Sequence, residues 1–206
     1  MTAGKNILEH LKKVDSTLYQ VAVKFDVDEV VKFENHRNYF ERLCRAIVGQ
    51  QLSTKAAATI WGRFAELVPN KEVTPNNVAL LQHEMMRGAG LSNAKARYVH
   101  ALAVAVIEKE IDLENLDTLS NEAVISELTK LKGVGVWTAE MFLMFTLLRP
   151  DVFSVGDLGL RRAMEKIYGL SDPSAEVLIE ISSKWSPYRT YVCRILWESL
   201  DNNPSS

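Results

Sequence analysis

The chain has 206 residues, 47% hydrophobic and 24% charged, with a formal net charge of −2. That is the composition of one large or two small globular domains with a real hydrophobic core. It excludes a polycation that holds nucleic acid through bulk charge, though not a binder with local phosphate contacts. No apolar run reaches the length of a membrane span. The opening stretch MTAGKNILEHLKK carries charge where a signal peptide needs an apolar core, so an intracellular protein with no membrane partner is expected. The two cysteines, Cys44 and Cys193, lie in opposite halves. They are too few for a four-cysteine iron–sulfur cluster, and no zinc-like spacing accompanies them.

Helical periodicity runs along the chain without convincing alternation of period two. It predicts helices over 5–13, 16–25, 36–49, 53–67, 76–87, 93–110, 121–130, 136–148, 158–168, 174–184 and 188–201, an all-α fold. Ser53, Ser92 or Asn93, Asn121 and Asp157 are N-cap types placed before helix formers. Pro75, Pro173 and Pro187 fall at helix starts, where a missing N–H is harmless. Gly90 and Gly169 fall where helices should stop. The polar stretches 67–77 and 111–122 are the candidate boundaries, and the tail DNNPSS is expected to fray. The organisation expected is one unit over 1–206 with two lobes. One is 36–112, and the other is 113–206 together with the N-terminal helices 1–35.

The segment LKGVGVWTAEMF, Leu131 to Phe142, places Gly133 and Gly135 between two of these helices. Such a pair permits positive φ and lets a ligand approach the backbone. The N–H groups opening the next helix then form an anion site that suits DNA phosphate. A bare helix–helix turn reads the same way. Asp157, in FSVGDLGLRR, opens an amphipathic helix and taken alone is an N-cap.

Together, KGVGVWTA and FSVGDLGLRR resemble the helix–hairpin–helix and Gly/Pro-Asp signature of the HhH-GPD base-excision DNA glycosylases. AIVGQQLSTKAAATIW (46–61), GLSNAKARYV (90–99) and KWSPYRTYVCRILW (184–197) resemble further segments of that superfamily, in order, over about residues 40–197. The nearest likeness is to the DNA-3-methyladenine glycosylase II, or alkylpurine, branch, in a compact form without an extra N-terminal β domain. The resemblance implies a two-lobed helical fold with its active site in the cleft between the lobes. It implies an enzyme that flips alkylated purines out of duplex DNA and hydrolyses their N-glycosidic bond. The substrates would be 3-methyladenine, 7-methylguanine and ethenoadenine.

The same resemblance distributes roles. Asp157 would be the catalytic carboxylate that stabilises an oxocarbenium-like sugar. Trp137, Trp197 and Met141 would line the base pocket. Gln51, supported by Gln50 and Leu52, would be the wedge that fills the gap left by the flipped nucleotide. Lys132, Gly133, Gly135, Ser53, Lys55 and Lys95 would face the DNA backbone. Bifunctional relatives hold a lysine nucleophile where this chain has Trp137, so no lyase activity is expected. No cofactor is implied, save a structural Na⁺ or K⁺ held by the backbone of Thr129, Leu131 and Val134. The partner would be duplex DNA, bound by a monomer, in the cytoplasm or nucleoid of a prokaryote or the nucleus of a eukaryote. A non-catalytic helix–hairpin–helix DNA-binding protein and a glycosylase for another lesion stay open beside this reading.

Overall fold

The computed structural model describes residues 2–33 and 38–201. No strand occurs among the described residues, in agreement with the all-α expectation. The first residues of the helix expected at 36–49, and the tail beyond Asp201, lie outside the described residues. Contacts group the chain into two units, Met1–Asn35 with Leu143–Ser206, and His36–Phe142.

The first unit opens with α1 (Ala3–Val14), α2 (Ser16–Ala22) and α3 (Val27–Val30). Thr2 caps α1 by accepting from the Lys5 N–H, and Ile7 and Leu11 stack one turn apart on its buried face. Asp15 ends α1 and caps α2, accepting from the Leu18 N–H at 3.0 Å. The one-turn helix α3, capped by Asp26, has no counterpart among the helices expected from the periodicity. A window of four residues is too short for a periodic signal.

The second unit holds α4 (Tyr39–Gly49), α5 (Thr54–Leu67), α6 (Pro75–Ala79), α7 (His83–Gly88), α8 (Asn93–Ile107) and α9 (Asn121–Thr129). Helix α8 is its axis. It buries Ala96, Val99, Leu102, Ala103 and Ala105, and α4, α6 and α7 pack on it. The expected helix 76–87 is two helices. The chain breaks after Ala79 so that Leu81 turns into the core, while Leu80 stays 76% exposed. The caps of α8 and α9 are Ser92 and Ser120, one residue before the asparagines, because each serine hydroxyl reaches the N–H three residues on.

Helix α10 (Val136–Phe145) starts in the second unit and ends in the first, which continues with α11 (Leu158–Tyr168), α12 (Ala175–Ser183) and α13 (Arg189–Asp201). α11 packs on α13 and on α2, and α13 also meets α3. Gly169 ends α11 in the left-handed region at φ +65°. Trp185, the largest fully buried side chain, anchors this core, and burying such a ring contributes roughly 1.5–3 kcal/mol.

The division falls at 142/143, well beyond the expected boundary near 112. The reason is visible in the stretch 111–122, where Ile111, Leu113 and Leu116 are buried and hold the chain within the second unit. The glycine hairpin therefore belongs with the QQL corner and not with Asp157.

Candidate functional site

In the first unit the sequence FSVGDLGL makes a tight approach to α11. The Asp157 N–H donates to the Ser154 carbonyl at 3.1 Å, and extended backbone (φ −78°, ψ 119°) places Asp157 as N-cap. Its Oδ1 accepts from the Leu160 N–H at 2.8 Å and from the Trp197 indole N–H of α13 at 3.0 Å. Asp157 is only 8% exposed. Its carboxylate sits where the helix dipole favours negative charge.

Gly159, which sequence reasoning passed over, makes the indole contact feasible. A Cβ there would lie 3.0 Å from the Asp157 carboxylate and from Trp197 Cδ1 and Nε1. The available signal was a glycine in the first turn of an amphipathic helix, where it costs about 0.5–1 kcal/mol against alanine.

Trp197 also stacks at 5.8 Å on Phe145, and the two rings line a cavity of about 340 Å³ with Glu29, Val30, Arg194 and Glu198. Arg194 donates to the Lys32 carbonyl at 2.7 Å and lies 4.6 Å over the Phe33 ring. Burial lowers its pKa, and the Glu198 charge works against that shift. The segment entering this corner is strapped to the start of α13. Arg189 grips the Asp151 carboxylate with two bonds, at 2.7 and 3.0 Å. Thr190 accepts from the Val152 N–H at 3.0 Å and donates to the Arg149 carbonyl at 2.6 Å. A near-buried carboxylate thus meets an indole edge, and that indole borders an aromatic cavity holding two acidic side chains and one guanidinium.

The hairpin of the second unit separates its two glycines by task. Gly133 has φ +89°, and a Cβ there would fall 2.3 Å from the Tyr98 ring, so only glycine fits. Gly135 is not in positive-φ space and has open space where a Cβ would be. It leaves the start of α10 open to a ligand.

Beside the hairpin, the QQLS corner also divides. Gln50 is tied down beside Gln51: its side-chain amide donates to the Gly133 carbonyl at 2.8 Å and to Thr138 Oγ1 at 3.3 Å. Gln51 is exposed in the left-handed region at φ +57°, Leu52 is 37% exposed, and Ser53 caps α5 through the Ala56 N–H. Lys95 likewise departs from its expected place on a phosphate. Its ammonium donates to the Val48 and Gln50 carbonyls at 2.8 and 2.6 Å, closing the C-terminus of α4, and burial lowers its pKa. Lys55 and Lys132 are exposed.

Of the residues expected in a base pocket, Trp197 meets Asp157. Trp137 and Met141 sit on the first turns of α10 within the second unit, Trp137 46% exposed and Met141 half-buried. Among the three hairpin carbonyls considered for a monovalent cation, that of Leu131 accepts the Val134 N–H at 3.1 Å. A carbonyl oxygen has a second lone pair, so the turn is compatible with a cation. No group of three or more His, Cys, Asp or Glu is placed to hold a metal among the described residues. Cys44 and Cys193 are both buried and free, and burial with the nearby Glu41 charge pushes the Cys44 thiol far up.

The sequence pattern described as "HhH-GPD superfamily base excision DNA repair protein" matches residues 44–187. The DNA-3-methyladenine glycosylase 1 of Schizosaccharomyces pombe is 36% identical over 163 residues, covering 78% of this chain and 72% of that protein. The alkylbase DNA glycosidase-like protein mag2 of the same yeast is 30% identical over 198 residues, covering 94% and 92%. Among solved structures, a DNA-3-methyladenine glycosidase from Bacillus halodurans superimposes with a TM-score of 0.82 at 34% identity, covering 98% of this chain and 91% of that one. The S. pombe 3-methyladenine DNA glycosylase in complex with abasic DNA gives a TM-score of 0.82 at 30% identity, covering 98% and 99%.

Proposed function

This chain belongs to the HhH-GPD superfamily of base excision DNA repair proteins, and we propose that it is a monofunctional DNA glycosylase of the 3-methyladenine type. It hydrolyses the N-glycosidic bond of alkylated purines in duplex DNA, with 3-methyladenine and 7-methylguanine as the leading substrates and ethenoadenine as a further one. The observation that carries the reading is Asp157, held almost buried by the Leu160 N–H and the Trp197 indole beside an aromatic cavity.

The flipped alkylpurine already carries positive charge and is a good leaving group. As the C1′–N bond breaks, its electron pair goes to the base and the sugar takes on oxocarbenium character. The Asp157 carboxylate stabilises that charge and orients the water whose oxygen bonds to C1′. The water proton passes to solvent, leaving an abasic site. Trp197 holds Asp157 in place and faces the base. By the family resemblance Trp137 takes the place of the lysine of lyase-competent members, and on this reading no Schiff base forms with the sugar.

In the second unit, the N–H groups opening α10, with Lys132, Lys55 and Ser53, hold phosphates. Gly135 gives the strand room. Gln51 and Leu52 form the exposed wedge, and Gln50 and Lys95 fix its base. A monovalent cation on the hairpin carbonyls would stiffen this turn and take no part in bond cleavage. The enzyme acts as a monomer on DNA inside the cell, without a redox or organic cofactor.

The test is base release. Methylated duplex DNA is incubated with wild type and with Asp157→Asn, and freed bases are chromatographed. Free methylpurines from wild type alone, with strand nicks only after alkali, are expected. Duplex binding with no base released from any alkylated substrate would overturn the reading.

A further inference from the structure

The second unit holds another cavity, of about 480 Å³, lined by residues of α7 and α8, by Leu81 and by Lys132 of the hairpin. Leu81, Met86 and Ala101 are its apolar lining, Tyr98 supplies an aromatic one, and His83, Arg97, His100 and Lys132 bring polar groups to it. Among the described residues no aspartate or glutamate lines it; the Glu84 carboxylate lies 3.9 Å from His83 Nδ1, on a side chain 86% exposed. Among the described residues, the side chains of Arg97, His100 and Lys132 are engaged in no hydrogen bond or ion pair.

These features select a ligand. The volume lies within the range of small-molecule sites, about 300–1,000 Å³. A purely apolar ligand would leave a guanidinium and an ammonium without a counter-charge. A bare anion would leave the apolar lining and the phenol ring uncovered. A ligand that is planar and apolar at one end and anionic at the other matches both. Aromatic side chains beside cations are how proteins hold single nucleotides and unpaired strands, and the planar guanidinium suits a phosphoryl group.

We propose that this cavity binds a nucleotide, with its base against Tyr98 and the apolar lining and its phosphoryl group at Arg97, His100 and Lys132. Because Gly133 lies directly on the Tyr98 ring, an occupant presses on the side chain that supports the hairpin. The nucleotide comes from one of two sources, a free mononucleotide or an unpaired nucleotide of a strand passing the hairpin.

The experiment uses the full chain and equilibrium dialysis, with no base release in the readout. Its failure is thus separate from failure of the glycosylase reading. The probes are deoxyadenosine 5′-monophosphate, deoxyadenosine, inorganic phosphate and a short single-stranded oligonucleotide. Saturable binding of the monophosphate is expected, at least about tenfold tighter than the nucleoside or phosphate alone. Arg97→Ala and His100→Ala should each weaken it about fivefold or more, at an unchanged melting temperature. Tighter binding of the oligonucleotide, lost in the same variants, assigns the site to a strand. Equal binding assigns it to free nucleotide. Absence of saturable binding of both the monophosphate and the oligonucleotide, or binding indifferent to the combined Arg97→Ala and His100→Ala changes, overturns the proposal.

Discussion

Two aspartates of the first unit share one constellation and are put to different ends. Asp15 caps α2 and accepts on Oδ2 from the Tyr168 hydroxyl at 2.6 Å and the Trp185 indole at 2.9 Å. Asp157 caps α11 and accepts from the Trp197 indole at 3.0 Å. Cap and indole alone therefore do not mark a functional carboxylate. What differs is where the indole leads. Trp185 is fully buried, and burial together with the Asp15 carboxylate pushes the Tyr168 phenol far up, so that network is closed. Trp197 is half-buried and lines a cavity with Phe145, Glu29 and Glu198. A carboxylate locked into core serves the fold, and one whose partner borders a cavity is available to a substrate.

The largest effect expected follows from that contrast. Asp157→Asn keeps the cap, since asparagine caps as well as aspartate, yet base release should fall by about 10²–10⁴ with little change in melting. Asp15→Asn should do the reverse, losing about 1–3 kcal/mol of stability while saturating release rates hold. Thermal melts and single-turnover rates on both variants check the pair. Equal loss of activity in both would erase the distinction.

Gly159→Ala sharpens the same comparison from the indole side. The new Cβ meets Trp197 and the Asp157 carboxylate at 3.0 Å, so the bond between them is displaced. Release should drop about tenfold, while the gain in helix propensity offsets part of any lost stability. An unchanged rate would show that the indole does not position Asp157.

A parallel contrast holds for two lysines of the second unit. Lys95→Met removes the donor to the Val48 and Gln50 carbonyls and should cost about 1 kcal/mol of stability, leaving the salt dependence of DNA binding alone. Lys132→Ala should leave stability within about 0.5 kcal/mol and reduce the salt slope by about one. Duplex affinities over a salt series, read beside the melts, separate them.

The smallest effect concerns Asp151. Burial works to raise its pKa, but hydrogen bonds from Arg189 and Ser186 and the Arg189 charge outweigh it and bring the value below the ordinary one. A value lower in the folded than in the unfolded chain stabilises above the ordinary carboxylate range and fades as pH falls through the lowered value. Asp151→Asn should therefore melt lower than wild type at neutral pH, by less than about 1 kcal/mol given partial exposure. The two curves should converge in acid.

Much of this was legible in the sequence because local rules carry it. Ser53, Asp157, Pro75 and Gly169 stand at the helix ends they signal, since caps and stops act within a few residues. Long-range bonds were not legible. Nothing local distinguishes Gln50 from Gln51, yet one is tied to Gly133 and the other is exposed. The same bond, with Tyr98 under Gly133, shows why the hairpin groups with α4 and α8 rather than with Asp157. Lys95 looked like any basic residue beside a turn, and only the folded chain brings two carbonyls to its ammonium. Gly159 needed the position of Trp197, on a helix that begins some thirty residues later.

The most direct measurement is the affinity of Asp157→Asn for a duplex carrying one alkylated purine, taken beside its single-turnover rate. Affinity within about twofold of wild type, with release reduced by orders of magnitude, is the result this account predicts. A rate that persists, or an affinity that falls in step with it, would contradict the assignment of Asp157 to bond cleavage.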